Sequence, residues 1–273
     1  MSDSLIEPRP HARIVLMSSA TAAFRTEFKK SDERYFRGRR DDLSVSIQPA
    51  STYPKAVIRL KQGERTHEEL IELSHLALAK ILTEYDFHSV LDIGSGWGAA
   101  ARCFSFLGKD LHTVEMVADR STGITTGGDY VRTPALGPFD LVWASHVLEH
   151  QRNVGAFLDK VFTDTREGGI AAITIPSALS PMIIGHPTIM TPLHLIYHLI
   201  LAGFDCREAR IKNYDWQFSV IVQKRPNGIR TSNIAATHYP QDAPDYYSDL
   251  LQWFPIEVPA SGDIWGEVDA INW

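Results

Sequence analysis

The sequence predicts an α/β fold with a doubly wound sheet, and three observations carry that expectation. Apolar runs of strand length alternate with segments of helical period from residue 66 to 224. One run, "VLDIGSGWGAA" (90–100), passes from an apolar strand to an acid, Asp92, and then to three glycines at alternate positions before a small-residue helix. A later run, "GGIAAITIP" (168–176), is almost continuously apolar, as in a strand buried on both faces of a parallel sheet.

Each element follows from its own pattern. Thr66 to Leu82 carries apolar residues at Leu70, Ile71, Leu73, Leu76, Leu78, Ile81 and Leu82, a stripe that predicts a helix with Glu68 and Glu69 near its start. Ser89–Ile93 is the first strand of the alternating series, Gly94–Gly98 the bend, and "WGAAARCFSFLG" a helix closed by Gly108. "LHTVEM" (111–116) and "FDLVWAS" (139–145) are further strands. "HVLEHQRNVGAFLDKVFTDT" (146–165) reads as a helix, which would place His146 and His150 on one face. "TPLHLIYHLILAGF" is a helix ending at Gly203, and "CREARIKNY" with "QFSVIVQK" alternate like a closing antiparallel pair. Residues 1–65 and 225–273 do not follow this rhythm and are expected to be extensions flanking a domain at 66–224.

Composition narrows the class. The 273 residues suit one large domain or one domain with appendages, and 44% hydrophobic with 22% charged residues is ordinary for a soluble globular chain. A net charge of −6 gives no case for nucleic acid. Two cysteines, Cys103 and Cys206, are too few for a disulfide framework and form no C-x-x-C pair. The N-terminus lacks the apolar run of a signal peptide, and the most apolar region, 170–204, is broken by four prolines and three histidines, against a membrane span. A cytoplasmic protein is expected. The first 66 residues hold thirteen basic against eight acidic residues, including "RYFRGRR" (34–40), and residues 227–273 hold one against seven. These are solvated faces, or else Arg37, Arg39 and Arg40 hold an anionic substrate.

The bend poses the chemical question. In an open α/β sheet the ligand lies beyond the carboxyl ends of the strands. Gly94-x-Gly96-x-x-Ala99 satisfies a loose dinucleotide fingerprint, and Glu115 lies where an acid would take a ribose hydroxyl pair. Asp92 separates the alternatives. A carboxylate two residues before the first glycine repels a pyrophosphate and attracts an ammonium. S-adenosylmethionine offers a cationic amino-acid end and a ribose with two free hydroxyls.

Together, "VLDIGSGWGAA", "TVEM", "FDLVWASHVLEH" and "GGIAAITIPS" form an ordered series that resembles the class I S-adenosylmethionine-dependent methyltransferases. The "SHVLEH" form is similar to the branch acting on small molecules, quinone precursors and sugars. The resemblance implies a Rossmann-like seven-stranded sheet of order 3-2-1-4-5-7-6, its last strand antiparallel, with "QFSVIVQK" as that strand. It implies that Asp92 and the loop Gly94, Ser95, Gly96, Trp97 and Gly98 meet the methionine part, that Glu115 holds the ribose, and that Met116 lies against adenine. Asp129 would reach the adenine amine with Tyr130 beside it, and Ser145 would face the methionine moiety. Only thirteen residues separate Glu115 from Asp129, too few for the usual helix and third strand.

Three histidines are candidates for the base that removes an acceptor proton: His146 and His150 after the fourth strand, and His186 in the loop after the fifth. His194 and His198, four apart, could mimic a metal pair, but no acid accompanies them, and no metal site is expected. The pocket-side histidines favour an oxygen acceptor, on a sugar, glycan or other polar small metabolite. An Asn-Pro-Pro-Tyr-type tetrapeptide is absent after the fourth strand, which disfavours transfer to the amines of bases or glutamine. The aromatic tail (239–273) would stack on sugar rings, pack on the domain or form a homo-oligomer contact, and the extensions would cover the substrate. Two other classes stay open: an NAD-dependent oxidoreductase, and a catalytically inactive methyltransferase-like binding protein.

Overall fold

Two strand periodicities build two sheets in the computed structural model, which describes residues 36–50, 55–117, 125–178, 183–228, 250–259, 264, 266 and 268–273. The side chains of Arg34, Arg37, Arg39 and Arg40, and tail residues 229–249, lie outside that description.

The first sheet is an antiparallel meander of β1 (Phe36–Arg40), β2 (Leu43–Pro49), β3 (Ala56–Gln62) and β4 (Arg65–Ile71). Alternation makes it: Leu43, Val45 and Ile47 point inward between Ser44 and Ser46, and Ile58 and Leu60 flank Arg59. The helix expected over Thr66–Leu82 is therefore corrected. Its first third is β4, paired residue by residue with β3, with Glu68 opposite Arg59 and within 2.5 Å of its Nε. Glu69 leaves the same strand to hold Arg102 through two hydrogen bonds of 2.7 and 2.9 Å. Ser74, at φ 61°, breaks the chain before α1 (His75–Glu84) begins. The apolar inner face of the meander packs onto α1, so both elements bury what neither could bury alone.

The second sheet has eight strands in the order β12 (Ala270–Ile271), β10 (Arg210–Tyr214), β11 (Gln217–Gln223), β9 (Thr165–Pro176), β8 (Phe139–Ser145), β5 (Ser89–Ile93), β6 (Asp110–Glu115) and β7 (Thr126–Gly127). β5 to β9 run parallel and β11 pairs antiparallel with β9. This is the expected order, with the two-residue β12 added at one edge. The third family strand survives as the two residues of β7, in line with the short stretch between Glu115 and Asp129.

Both faces of the sheet are covered. Leu91, Ile93, Val142, Ala144, Ala171 and Ile173 pack under α3 (Val154–Asp164) and α4 (Pro192–Leu201). Their neighbours Val90, Leu141, Trp143, Ile170 and Ala172 pack under α1, α2 (Ala99–Phe106) and the meander. Period-2 alternation thus divides one apolar run between two cores, which is why these strands read as continuously hydrophobic. The carboxyl ends of β5, β6, β8 and β9 meet on one edge, and the candidate site lies there. Among the described residues no helix is long and apolar enough to cross a membrane.

Candidate active site

Where β5 ends, Gly94, Gly96 and Gly98 take φ values of 68°, 52° and 77°, a region that favours glycine. A Cβ at Gly94 would also overlap the Val147 side chain, so the bend is pressed against the segment that follows β8. Gly94 N and Ser95 N both donate to Val114 O, at 2.7 and 3.3 Å. Glu115 at the end of β6 completes the stitching: its Oε2 accepts from Gly96 N at 2.8 Å and its Oε1 from Val117 N at 3.1 Å. One backbone donor on each oxygen leaves further lone pairs to accept from a hydroxyl pair.

Asp92 lies beneath this bend, 2% exposed. Burial, reinforced by the charge of Glu115, pushes its carboxyl up to about 7. Its Oδ2, and Ser95 Oγ, are buried with no hydrogen-bond partner among the described residues. Buried polar atoms left without partners beside a Cβ-free bend fit the cationic amino-acid end of the expected cofactor and do not fit a diphosphate. Trp97 and Met116 stand exposed at the rim, at 74% and 64%, with apolar surface to offer an adenine or methionine moiety.

At Asp129 and Tyr130 the geometry divides the pair. Asp129 caps a short turn, its Oδ1 accepting from Val131 N at 3.1 Å, with Arg132 at 3.4 Å from its Oδ2. Tyr130 is buried, its ring against Phe157 and its hydroxyl donating to Asp164 Oδ2 at 2.8 Å. The Tyr130 side chain is thus committed to the core.

On the acceptor side the expected helical face is corrected. His146 N donates to Thr174 O at 2.8 Å, continuing the β8–β9 ladder, and His146 itself sits at φ 55°. A 3-10 turn at Leu148–His150 follows, and α3 starts only at Val154, capped by Asn153. His146 is hydrogen-bonded at one ring nitrogen and faces a carboxylate at the other. Nε2 lies 2.9 Å from Gln217 Oε1, which also accepts from Ser74 N at 3.1 Å; an oxygen serving that N–H must accept from the ring as well. Nδ1 lies 3.0 Å from Glu149 Oε1, and the ring contacts Trp216. Ser145 Oγ is turned toward Ser74 Oγ, 2.5 Å away.

His150 and His186 do come together. Their ring centroids are 4.7 Å apart at 78°. His150 Nδ1 lies 2.7 Å from Gly185 O and can only donate to it, which leaves Nε2 with a lone pair on an exposed ring. Thr188 zips the same loop to the 3-10 turn, its N donating to Glu149 O at 3.1 Å and its Oγ1 to Gln151 O at 2.6 Å. Sequence reasoning missed Glu149, Gln217 and Ser74. The only signal for Glu149 is an acid inside the apolar stretch "VLEH", and the structure shows it 1% exposed. His194 and His198 lie on α4 away from this cluster, His194 bonded to Thr191 Oγ1 at 3.0 Å.

Comparison with known proteins agrees with this geometry. A family model described as a methyltransferase domain matches residues 53–234, more than half of the chain. No curated protein matches significantly. Solved structures similar to the chain include a SAM-dependent methyltransferase from Archaeoglobus fulgidus, 16% identical, with 55% of this chain and 93% of that one covered at a TM-score of 0.46. Another is the Burkholderia thailandensis 1,6-didemethyltoxoflavin-N1-methyltransferase, 14% identical, covering 64% and 97% at 0.43. A third is human N-acetylserotonin methyltransferase, 19% identical, covering 55% and 52% at 0.44. With the family match over residues 53–234, the strand order and the acid-lined glycine bend in agreement, the chain belongs to the class I S-adenosylmethionine-dependent methyltransferases.

Proposed function

We propose that this methyltransferase acts on a hydroxyl oxygen of a polar small molecule, a sugar, glycan or related metabolite. The observation that carries the reading is the His150 ring: its Nδ1–H is spent on Gly185 O, its Nε2 has no hydrogen-bond partner among the described residues, and His186 packs beside it at the carboxyl edge of the sheet. S-adenosylmethionine supplies an electrophilic methyl on a sulfonium. The chain's own work is to hold that group and prepare the acceptor. Asp92 and the Gly94–Gly98 bend fix the cofactor's amino-acid end, and Glu115 its ribose. The acceptor oxygen gives an electron pair to the methyl carbon while the carbon–sulfur bond pair returns to sulfur, and its proton passes to the basic cluster of Glu149, His150 and His186. His146, bonded through Nε2 to Gln217, positions that side chain rather than taking that proton. An exposed His150 beside a 3-10 turn suits an incoming hydroxyl, whose weak acidity makes base assistance worth about 10²–10⁴-fold.

The test is transfer of a labelled methyl group to a panel of sugars and hydroxylated metabolites, with amine and thiol acceptors as controls. Label in an oxygen-linked methyl is the expected result, and label confined to nitrogen or sulfur acceptors overturns the reading.

A further inference from the structure

We propose that Glu149, His150 and His186 form a binding site for one divalent transition-metal ion of zinc's class. The site exists independently of the acceptor. Its role, holding the acceptor oxygen, rests on the hydroxyl reading above.

Four observations converge on it. One carboxylate oxygen and one ring nitrogen from each histidine all lie within 4.8 Å of one another. Three ligand atoms bonded at about 2.0–2.2 Å to a common ion lie about 3.3–3.8 Å apart, so each need move inward by less than about 1 Å to close the set. Glu149 is 1% exposed, yet neither of its carboxylate oxygens has a hydrogen-bond partner among the described residues, and His146 Nδ1, though 3.0 Å from Oε1, lies outside hydrogen-bond geometry. A buried carboxylate in that condition is costly to leave unpartnered, and a metal ion is one group that would satisfy it. His150 already carries the support that metal-bound histidines carry, its Nδ1 donating to the Gly185 carbonyl and leaving Nε2 as its remaining ring nitrogen. The loop bearing His186 is fastened to the turn bearing Glu149 and His150 by both bonds of Thr188, so the three ligands are held together across 35 residues of chain.

The donor set chooses the ion. Two imidazoles and one carboxylate suit zinc, iron, cobalt, nickel, copper or manganese, whereas magnesium and calcium prefer oxygen donors. Three protein ligands leave positions open, and His150 and His186 both reach solvent. An acceptor hydroxyl entering an open position is bound through oxygen and made more acidic by the ion's charge. Its proton leaves to water at the exposed rim, its electron pair stays on oxygen, and that oxygen attacks the methyl carbon. With the ion bound, His150 serves as a ligand instead of a proton acceptor.

The experiment is calorimetric titration of chelator-treated full-length protein with Zn²⁺, Mn²⁺ and Mg²⁺, in the absence of cofactor and acceptor. One Zn²⁺ per chain is expected, with Mg²⁺ much weaker. His186→Ala, at a half-buried loop position, and Glu149→Gln should each weaken Zn²⁺ binding tenfold or more, while circular dichroism confirms that both fold. Anomalous scattering from a zinc-soaked crystal should place the ion on these three residues. No stoichiometric binding, equal binding by the His186→Ala variant, or an ion located elsewhere overturns the site. Zn²⁺ binding with methyl transfer only to nitrogen keeps the site and discards the hydroxyl reading. Hydroxyl transfer by a protein that binds no ion does the opposite.

Discussion

The two halves of the sheet edge are built on different plans. The half proposed to hold the cofactor takes Asp92, the glycine bend and Glu115 from two adjacent parallel strands within 24 residues of chain, and backbone donors from the same stretch tie them together. The half proposed to meet the acceptor draws Ser74, Ser145, His146, Glu149, His186 and Gln217 from four separate segments, joined by side-chain bonds that bridge as many as 143 residues. On the proposed reading the cofactor is met by local, contiguous geometry, and the acceptor by parts that only the finished fold assembles.

That contrast can be broken from either side. The largest effect belongs to the acceptor half: His150→Ala should lower turnover about 10²–10⁴-fold and leave the dissociation constant for S-adenosylmethionine within about twofold. Equal losses in both would show that the halves are not separate. Next comes Gly94→Ala, which combines a left-handed backbone with overlap of Val147. It should cost roughly 2–4 kcal/mol in urea unfolding and abolish cofactor binding. Adding Val147→Ala should recover only part, because the overlap is relieved and the φ is not. Smaller again, Asp92→Ala or Glu115→Ala should each weaken cofactor binding by about 10–100-fold, the scale of one charge-assisted contact, with methyl-acceptor affinity unchanged.

The same contrast explains what the sequence discloses. The bend is legible because its signal is contiguous, a strand, an acid and glycines in one eleven-residue run, whereas the sheet order comes from the family resemblance that this run and the later motifs carry. The meander is not, although Leu43, Val45 and Ile47 alternate with serines, because Leu70 to Leu82 also fits a helical stripe and only pairing with β3 decides for Arg65–Ile71. The spacing of His146 and His150 suggests one helix face. The ladder bond from His146 N to Thr174 O keeps the chain extended one residue longer and puts His146 at φ 55°. Glu149 hides among apolar neighbours, and nothing in its spacing to His186 marks a shared site. Tyr130 reads as a site residue from its place after Asp129, whereas the fold turns its hydroxyl inward to Asp164.

Asp92 is the hinge of the account, because on the proposed reading the carboxylate beneath the bend selects a cationic cofactor. Its folded-state pKa, about 7, lies above the ordinary carboxylate value. Without ligand, the group therefore contributes stability at low pH that fades as pH rises toward 7, and a bound ammonium reverses that cost by pairing with the ionised form. The most direct test is calorimetric titration of wild-type protein and Asp92→Asn with S-adenosylmethionine, at about pH 6 and about pH 7.5, with NAD as the competing ligand. The wild type should bind roughly eightfold more tightly at the higher pH, since the carboxyl must lose its proton to bind. Asp92→Asn should bind weakly and show little of that dependence, and NAD should bind to neither. Tight NAD binding by the wild type, or the same affinity and pH profile in Asp92→Asn, would contradict the account.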